Sequence, residues 1–488
     1  MPHMLPRLQI PALAIAGAIA ACGPKTHTGT PVVLISMDTL RADRLGAFGS
    51  QLGLTPNLDA FAAEAVIFDS AWSQAVQTGP SHSSMFTSRY PSEQLGADAK
   101  PYIPEDMPVL AKIFSIYGYH TGAFVAGGEL REHGGLSTGF DTYQSSADFG
   151  SLWNTTPMAL SWLDSLSDDK PYFLFVHGYD THSRYLKPTP FGYTYSDARA
   201  TGVGAYAVRT ASERIIDGLF YADFNSLVNS YATELRPRSA EARERLAAKG
   251  EGLLKLEPED GAYIEQAYNG AVSYVDAQFG LLMAALQERG VLDEALIVVM
   301  SDHGEQLGEH GLYGHCCEVN DEETHVPLMV RAPHAAGGGR RVSAIVELVD
   351  ILPTVLEWTG LAPPAVIRGQ SLVPALRGAA FEGRPYAITE GSEMMRTIAM
   401  RSPRGRLTFV GLSASSSMLP DLLETAAVNG PAFATSSPEL TDEERVTMRN
   451  ALAKQLRTLA QSGKGSRGEA PPELRKALRE HGYWDVQP

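Results

Sequence analysis

Two apolar runs in this chain each stop at an acid. The first is Pro31-Val32-Val33-Leu34-Ile35-Ser36-Met37-Asp38, and the second is Ala295-Leu296-Ile297-Val298-Val299-Met300-Ser301-Asp302-His303. Continuous runs with β-branched residues belong on strands buried on both faces, as in a largely parallel sheet covered by helices. A third run, Pro171-Tyr172-Phe173-Leu174-Phe175-Val176, ends at His177, with Asp180 and His182 close behind. Open α/β sheets take their ligands at the carboxyl ends of their strands, so polar groups there are candidate site residues. An Asp at a strand end can equally cap the next helix, and position alone leaves both readings open.

The stretch Gln77-Thr78-Gly79-Pro80-Ser81-His82 supplies a hydroxyl at the start of a predicted helix, with Pro80 fitting its first turn. Such a start aims backbone N–H groups and the positive helix end at whatever Thr78 attacks, which suits an anionic ester. Taken alone, the same residues describe a capped surface helix. Asp302 and His303 are adjacent, and a carboxylate beside an imidazole suits a divalent cation that accepts mixed oxygen and nitrogen ligands.

The 488 residues are enough for a large core and two or three domains, and 44% hydrophobic residues exclude wholesale disorder. Net charge is −16, which argues against broad nucleic-acid binding while leaving room for a local anion pocket. Helical spacing of Tyr268, Val272, Val275, Phe279, Leu282 and Leu286 predicts a helix over 265–289. Residues 188–260 fit no such pattern and read as an insertion covering the site. Near the end, 398–401 and 406–412 read as strands, 413–438 as loop, Thr441 to Glu444 as a capping box opening a helix, and 473–483 as a last helix. Cys316 and Cys317 are adjacent, so they form either a vicinal disulfide or two thiols.

These motifs resemble the sulfatase family of the alkaline phosphatase superfamily. Sulfatases carry Cys or Ser, any residue, Pro, Ser, Arg, then Thr-Gly-Arg; here Thr78, Pro80, Ser81, Thr87, Ser88 and Arg89 stand in matching places. Asp38-Thr39-Leu40-Arg41, Asp302-His303-Gly304-Glu305 and Asp321 to Leu328 follow in the family's order. The resemblance implies a mixed, mostly parallel central sheet flanked by helices, with a smaller C-terminal α+β subdomain. The catalytic domain would span 31–380 and the subdomain 381–488. Several positions depart from the sulfatase pattern, among them His303 where sulfatases usually have Asn and His315 where they put a Lys. Thr78 has a secondary alcohol, which oxidation would turn into a ketone and not formylglycine; His82 replaces the motif Arg; Thr39 replaces a second metal-binding Asp. Superfamily branches that act on phosphoesters use an unmodified Thr, and the phosphatase and phosphonate-hydrolase branches have His where His303 stands.

Carried over residue by residue, the resemblance implies that Asp38, Asp302 and His303 hold a divalent cation with Thr78 Oγ1 as a further ligand. Thr78 would be the nucleophile, and His182 or His315 the proton donor to the leaving oxygen. His82, His177, Asp180, His325 and Arg89 would contact an anionic ester. Zinc or manganese is favoured over calcium, which prefers an all-oxygen shell. A second metal set drawn from Asp180, His182, His315 or His325 has no matched spacing, so one metal is expected. The expected activity is hydrolysis of phosphate, phosphonate or sulfate esters. A transferase, a sulfatase working without formylglycine and a non-catalytic binding protein are the alternatives.

The N-terminus carries Arg7, a short apolar segment and Ile19-Ala20-Ala21-Cys22-Gly23, which resembles a bacterial lipoprotein cleavage box. Residues 1–21 would then be a signal peptide, Cys22 the lipidated residue and 22–30 a tether. That implies a membrane-anchored protein of the cell envelope, on the outer membrane facing periplasm or exterior.

Overall fold

The computed structural model describes residues 29–94, 103, 107–132, 135–146, 149–182, 185, 187, 191, 234–235, 254–255, 258–311, 313–315, 318–391, 397–410, 433–436 and 439–462. The signal segment, Cys22, Cys316, Cys317, the predicted helix over 473–483 and most of the 188–260 insertion lie outside the described residues.

The first apolar run forms strand β1 (Val32–Met37), every residue of which is buried. The other strands of its sheet are β2 (Val66–Trp72), β3 (His120–Val125), β4 (Thr142–Ser145), β5 (Tyr172–Gly178), β6 (Leu296–Met300), β7 (Leu328–Arg331) and β8 (Arg341–Glu347). The eight strands lie in the order β8-β2-β7-β6-β1-β5-β3-β4. All neighbours run parallel except β7, which is antiparallel to both β2 and β6. Val32 and Leu34 face one core with Phe173, Phe175, Leu296 and Val298. Val33, Ile35 and Met37 face the other with Leu174, Val176, Ile297 and Val299. Burying each such side chain contributes roughly 1.5–3 kcal/mol, which explains why these runs have no polar alternation.

Helices α1 (Pro56–Ala63), α2 (Thr78–Thr87), α3 (Leu110–Ile116), α4 (Leu152–Ser165), α5 (Pro258–Glu288) and α6 (Ile351–Trp358) accompany the sheet. α5 buries Tyr268, Val272, Val275, Phe279, Leu282 and Leu286, the periodic face legible in the sequence, in the same core as Ile35. Asp276 on this helix accepts the backbone N–H groups of Asn57 and Leu58, so it caps α1. A second, four-stranded sheet comprises β9 (Ala387–Glu390), β10 (Thr397–Ser402), β11 (Gly405–Val410) and β12 (Phe433–Ser436), all antiparallel. The last of these strands lies within the stretch expected to be loop. The predicted capping box opens α7 (Asp442–Ser462): Thr441 Oγ1 donates to Glu444 Oε2 (2.9 Å) and accepts the Glu444 N–H (3.2 Å). Among the described residues no helix is long and apolar enough to cross a membrane.

Candidate active site and metal centre

The chain leaves β1, β5 and β6 at the same edge, because β1 pairs in parallel with both neighbours. In register, Ser36 lies opposite both His177 and Met300, so Asp38, His177 and Asp302 emerge together. Asp38, Asp302 and His303 each offer a ligand atom within 4.8 Å of the others. All three are buried, and Asp38 Oδ1, Asp302 Oδ2 and His303 Nε2 have no hydrogen-bond partner. Unpaired buried polar atoms cost about 1–3 kcal/mol each, more when charged. A divalent cation would satisfy all three, and the mixed oxygen and nitrogen donors fit one.

The surroundings fix these groups. His303 Nδ1–H donates to Gly304 O (3.0 Å), since a carbonyl can only accept; that leaves Nε2 with its lone pair. Asp302 Oδ1 accepts the N–H groups of Thr39 (3.2 Å) and His303 (2.9 Å). Thr39 stands at φ 56, unusual for a β-branched residue. Its hydroxyl turns back to Asp38 O (2.8 Å), so it does not stand in for the carboxylate that many sulfatases have there. Burial first, and then the neighbouring Asp302 charge, push Asp38 well above the usual carboxylate range. Asp302 also suffers burial, but the three imidazoles of His303, His82 and His177 hold it low. Burial pulls the His303 imidazole down to about 4, so it is neutral at pH 7.

Thr78, the first residue of α2, is buried and its Oγ1 donates to Asp38 Oδ2 at 3.0 Å. The helix is anchored below it by Ser81, whose hydroxyl donates to Asp302 O (2.7 Å). His82 Nδ1–H donates to Thr78 O (2.8 Å), and its Nε2 accepts from Ser36 Oγ (3.0 Å), so His82 holds the first turn of α2 from within the core. His177 is fully buried, neither ring nitrogen has a hydrogen-bond partner, and Nε2 lies 3.5 Å from Asp38 Oδ2. Burial and adjacent imidazoles keep it far below the ordinary histidine range.

On the other side His315 Nδ1 lies 2.8 Å from Glu305 Oε1. Burial lowers the His315 pKa, but Glu305 outweighs it and the net shift is upward. The His315 ring sits 4.4 Å from that of His303 and 5.0 Å from that of His182, so both expected proton donors border the cluster.

Three expected substrate contacts are engaged elsewhere. Asp180 Oδ2 accepts the Leu152 N–H (2.8 Å) at the start of α4, and burial raises the carboxyl to about 6. His325 donates to Asp69 O (2.9 Å) and stacks on Trp72. Arg89 pairs with Glu93 (3.1 Å). These contacts answer a helix start that Ser151 and Asn154 also cap, the Asp69 carbonyl and a buried carboxylate. Asp180 Oδ1 is buried without a hydrogen-bond partner.

The expected N–H cradle at α2 is also largely taken. Gly79 N–H donates to Glu129 Oε2 (2.7 Å), Ser81 N–H donates to Gln77 O (3.1 Å), and Pro80 has none. Glu129, Thr181 (which donates to Asp38 O) and Ser36 border the cluster and were passed over in sequence reasoning, while Ser81 and Glu305 stood in the matched motifs without a stated role. The available signal for Glu129 was Gly127-Gly128 directly after a buried run, marking a sharp turn at a strand's carboxyl end.

Comparisons with known proteins identify the family and the fold. The sulfatase family model matches residues 30–361. The chain is 24% identical over 423 residues to N-acetylglucosamine-6-O-sulfatase of Bacteroides thetaiotaomicron, covering 76% of this chain and 75% of that protein. It is 30% identical over 237 residues to the multifunctional alkaline phosphatase superfamily protein PehA of Trinickia caryophylli, covering 47% of this chain and 41% of that protein. The fold is similar to that of the phosphonate monoester hydrolase of Agrobacterium radiobacter, with a TM-score of 0.62, 21% identity, and coverage of 91% of this chain and 100% of the other. With the family model matching residues 30–361, the chain belongs to the sulfatase family of ester hydrolases, on the alkaline phosphatase superfamily fold.

Proposed function

We propose that this hydrolase cleaves esters of phosphorus or sulfur oxyacids with the unmodified Thr78 hydroxyl as covalent nucleophile, phosphodiesters, phosphate esters and phosphonates before sulfates. The observation that carries this reading is the Thr78 Oγ1 hydrogen bond to Asp38 within a buried, unsatisfied ligand cluster. Asp38, Asp302 and His303, joined by Thr78 Oγ1, would hold the divalent cation, with His177 as a neutral neighbour able to extend the set. When bound, the cation lowers the pKa of a hydroxyl and offsets charge on the ester oxygens.

The chain's own residues supply the rest. Thr78 Oγ1 releases its proton along the hydrogen bond to Asp38 and attacks phosphorus or sulfur opposite the leaving oxygen. The bond to that oxygen breaks as the threonyl ester forms, and the oxygen takes a proton from His315, held by Glu305, or from adjacent His182. The same imidazole then removes a proton from water, which attacks the threonyl ester; the bond from phosphorus or sulfur to Thr78 Oγ1 breaks, and Oγ1 takes back its proton from Asp38.

Zinc or manganese is favoured because His303 presents a nitrogen. The likeness over three-quarters of the chain to a sulfatase keeps sulfate esters as the second substrate class. Cys22 as a lipid anchor and an envelope location complete the proposal, supported by the cleavage-box sequence. The test is turnover of aryl phosphate, phosphodiester, phosphonate and sulfate with added metals, alongside Thr78→Ala and mass spectrometry of the Thr78 peptide. Loss of turnover in the variant and a trapped adduct on Thr78 are expected. Near wild-type rates in Thr78→Ala would overturn the scheme.

A further inference from the structure

We infer that Glu129 is a specificity-determining residue: a built-in anion beside the nucleophile that disfavours reacting centres carrying two negative charges. The inference rests on the Thr78 reading and names the substrate charge that this site selects.

Glu129 is exposed as a residue, yet its carboxylate is placed from several directions. It follows Gly127 and Gly128, at φ 81 and 60, which turn the chain sharply after β3. A Cβ on Gly128 would lie 2.5 Å from the Tyr179 hydroxyl, so glycine is required there for space as well as for φ. The Glu129 N–H donates to Tyr179 OH (3.1 Å), and Tyr179 is buried directly after β5. The carboxylate then accepts the Gly79 N–H at 2.7 Å, one residue beyond Thr78. Its field reaches Asp38 and His82, among the groups that shift both.

The consequence is electrostatic. A helix start next to a nucleophile ordinarily attracts an anion. Here its Gly79 N–H is taken by the chain's own carboxylate, on the side open to solvent. Three arginines of the matched motifs are bound to other carboxylates: Arg41 to Asp43 and Glu309, Arg44 to Glu265, and Arg89 to Glu93. A phosphate monoester dianion entering this site meets the Glu129 charge twice over, whereas a phosphodiester, phosphonate monoester or sulfate monoester meets it once. At separations of several ångströms in a partly screened site, one extra unit of repulsion is worth about tenfold in discrimination.

Glu129→Gln tests this while keeping an acceptor for the Gly79 N–H. In the metal-supplemented enzyme, kcat/KM for an aryl phosphate monoester relative to a matched phosphodiester should rise by about tenfold in Glu129→Gln. Calorimetric titration with inorganic phosphate should show tighter binding by a similar factor, a readout that needs no turnover. Glu129→Ala should shift selectivity likewise but lower the thermal midpoint, because α2 loses its cap. If Glu129 only caps the helix, Glu129→Gln will leave both the ratio and phosphate affinity unchanged, which overturns the inference. Thr78→Ala in the same assay separates the two ideas. An inactive Thr78→Ala with an unmoved Glu129→Gln ratio sinks the selectivity role alone; surviving turnover sinks the nucleophile and, with it, this inference.

Discussion

The molecule buries two groups of acidic side chains, and they are built in opposite ways. At the carboxyl edge of β1 and β6, Asp38 and Asp302 lie together with no Lys or Arg ion pair to either carboxylate among the described residues, and three ligand atoms have no hydrogen-bond partner. At the end of β8, Glu347 and Asp350 are equally buried, yet each is answered. Arg384 forms ion pairs with both, Tyr90 OH donates to Glu347 Oε2 (2.9 Å), Ile388 N–H to Glu347 Oε1 (2.7 Å), and Gln370 N–H to Asp350 Oδ1 (2.8 Å). Burial costs both groups about the same per charge. The second is compensated from within the chain and joins the two sheets; the first has the donor set that a divalent cation would satisfy.

That contrast breaks down first if the metal edge behaves like a structural ion pair. Asp302→Ala or His303→Ala should lose metal in elemental analysis and lower kcat/KM by roughly 10²-fold or more while the protein remains folded, as metal-centre substitutions do. Arg384→Ala should act in reverse: it strands two buried carboxylates, so chemical denaturation should show a loss of about 3–5 kcal/mol, with metal content per folded protein unchanged.

Ligand linkage sharpens the comparison. Adding zinc or manganese at 100 times its Kd should raise stability by about 2.7 kcal/mol, seen as a higher thermal midpoint that chelator reverses. Asp302→Ala should abolish that gain and Arg384→Ala should retain it. In metal-free protein, Asp38→Asn should stabilise by about 1–2 kcal/mol, because it removes one of two crowded carboxylates at a site built for function. Destabilisation there would mean that the pair is already compensated.

The smallest effect concerns pH. Burial raises Glu390 to about 7, even though Ser92 donates to it through both its N–H and its hydroxyl. A carboxyl whose folded pKa exceeds its unfolded value of about 4.5 favours the folded state when protonated. Its stabilising contribution is therefore full below about pH 4.5 and is lost as pH rises to about 7, at up to about 1.4 kcal/mol per pH unit. Glu390→Gln should flatten that part of the stability curve, read as thermal midpoints from pH 4.5 to 7.

The strands and their order of chemistry were legible because burial on two faces leaves a compositional mark. Strand β1, strand β6 and the periodic face of α5 all lie where the apolar pattern placed them. Strand β12 was not legible: Phe433–Ser436 is four residues long and owes its place to pairing with β11. Asp180, His325 and Arg89 looked like site residues because they sit at strand ends or in a motif. In the structure they contact Leu152, Asp69 and Glu93, with Asp180 Oδ1 left unpartnered, a matter of direction that residue order does not carry.

From sequence alone came the sheet class, the family, the nucleophile candidate and the Asp38, Asp302 and His303 set, since each depends on a residue type at the end of a recognisable strand. Only tertiary structure decided which of the many polar groups at that edge are left without partners. It brought Glu129 to Gly79 across 50 residues and buried Asp38 and Asp302 side by side. The reason is that hydrophobic periodicity is written locally along the chain, whereas the satisfaction of a buried charge depends on every element that folds against it.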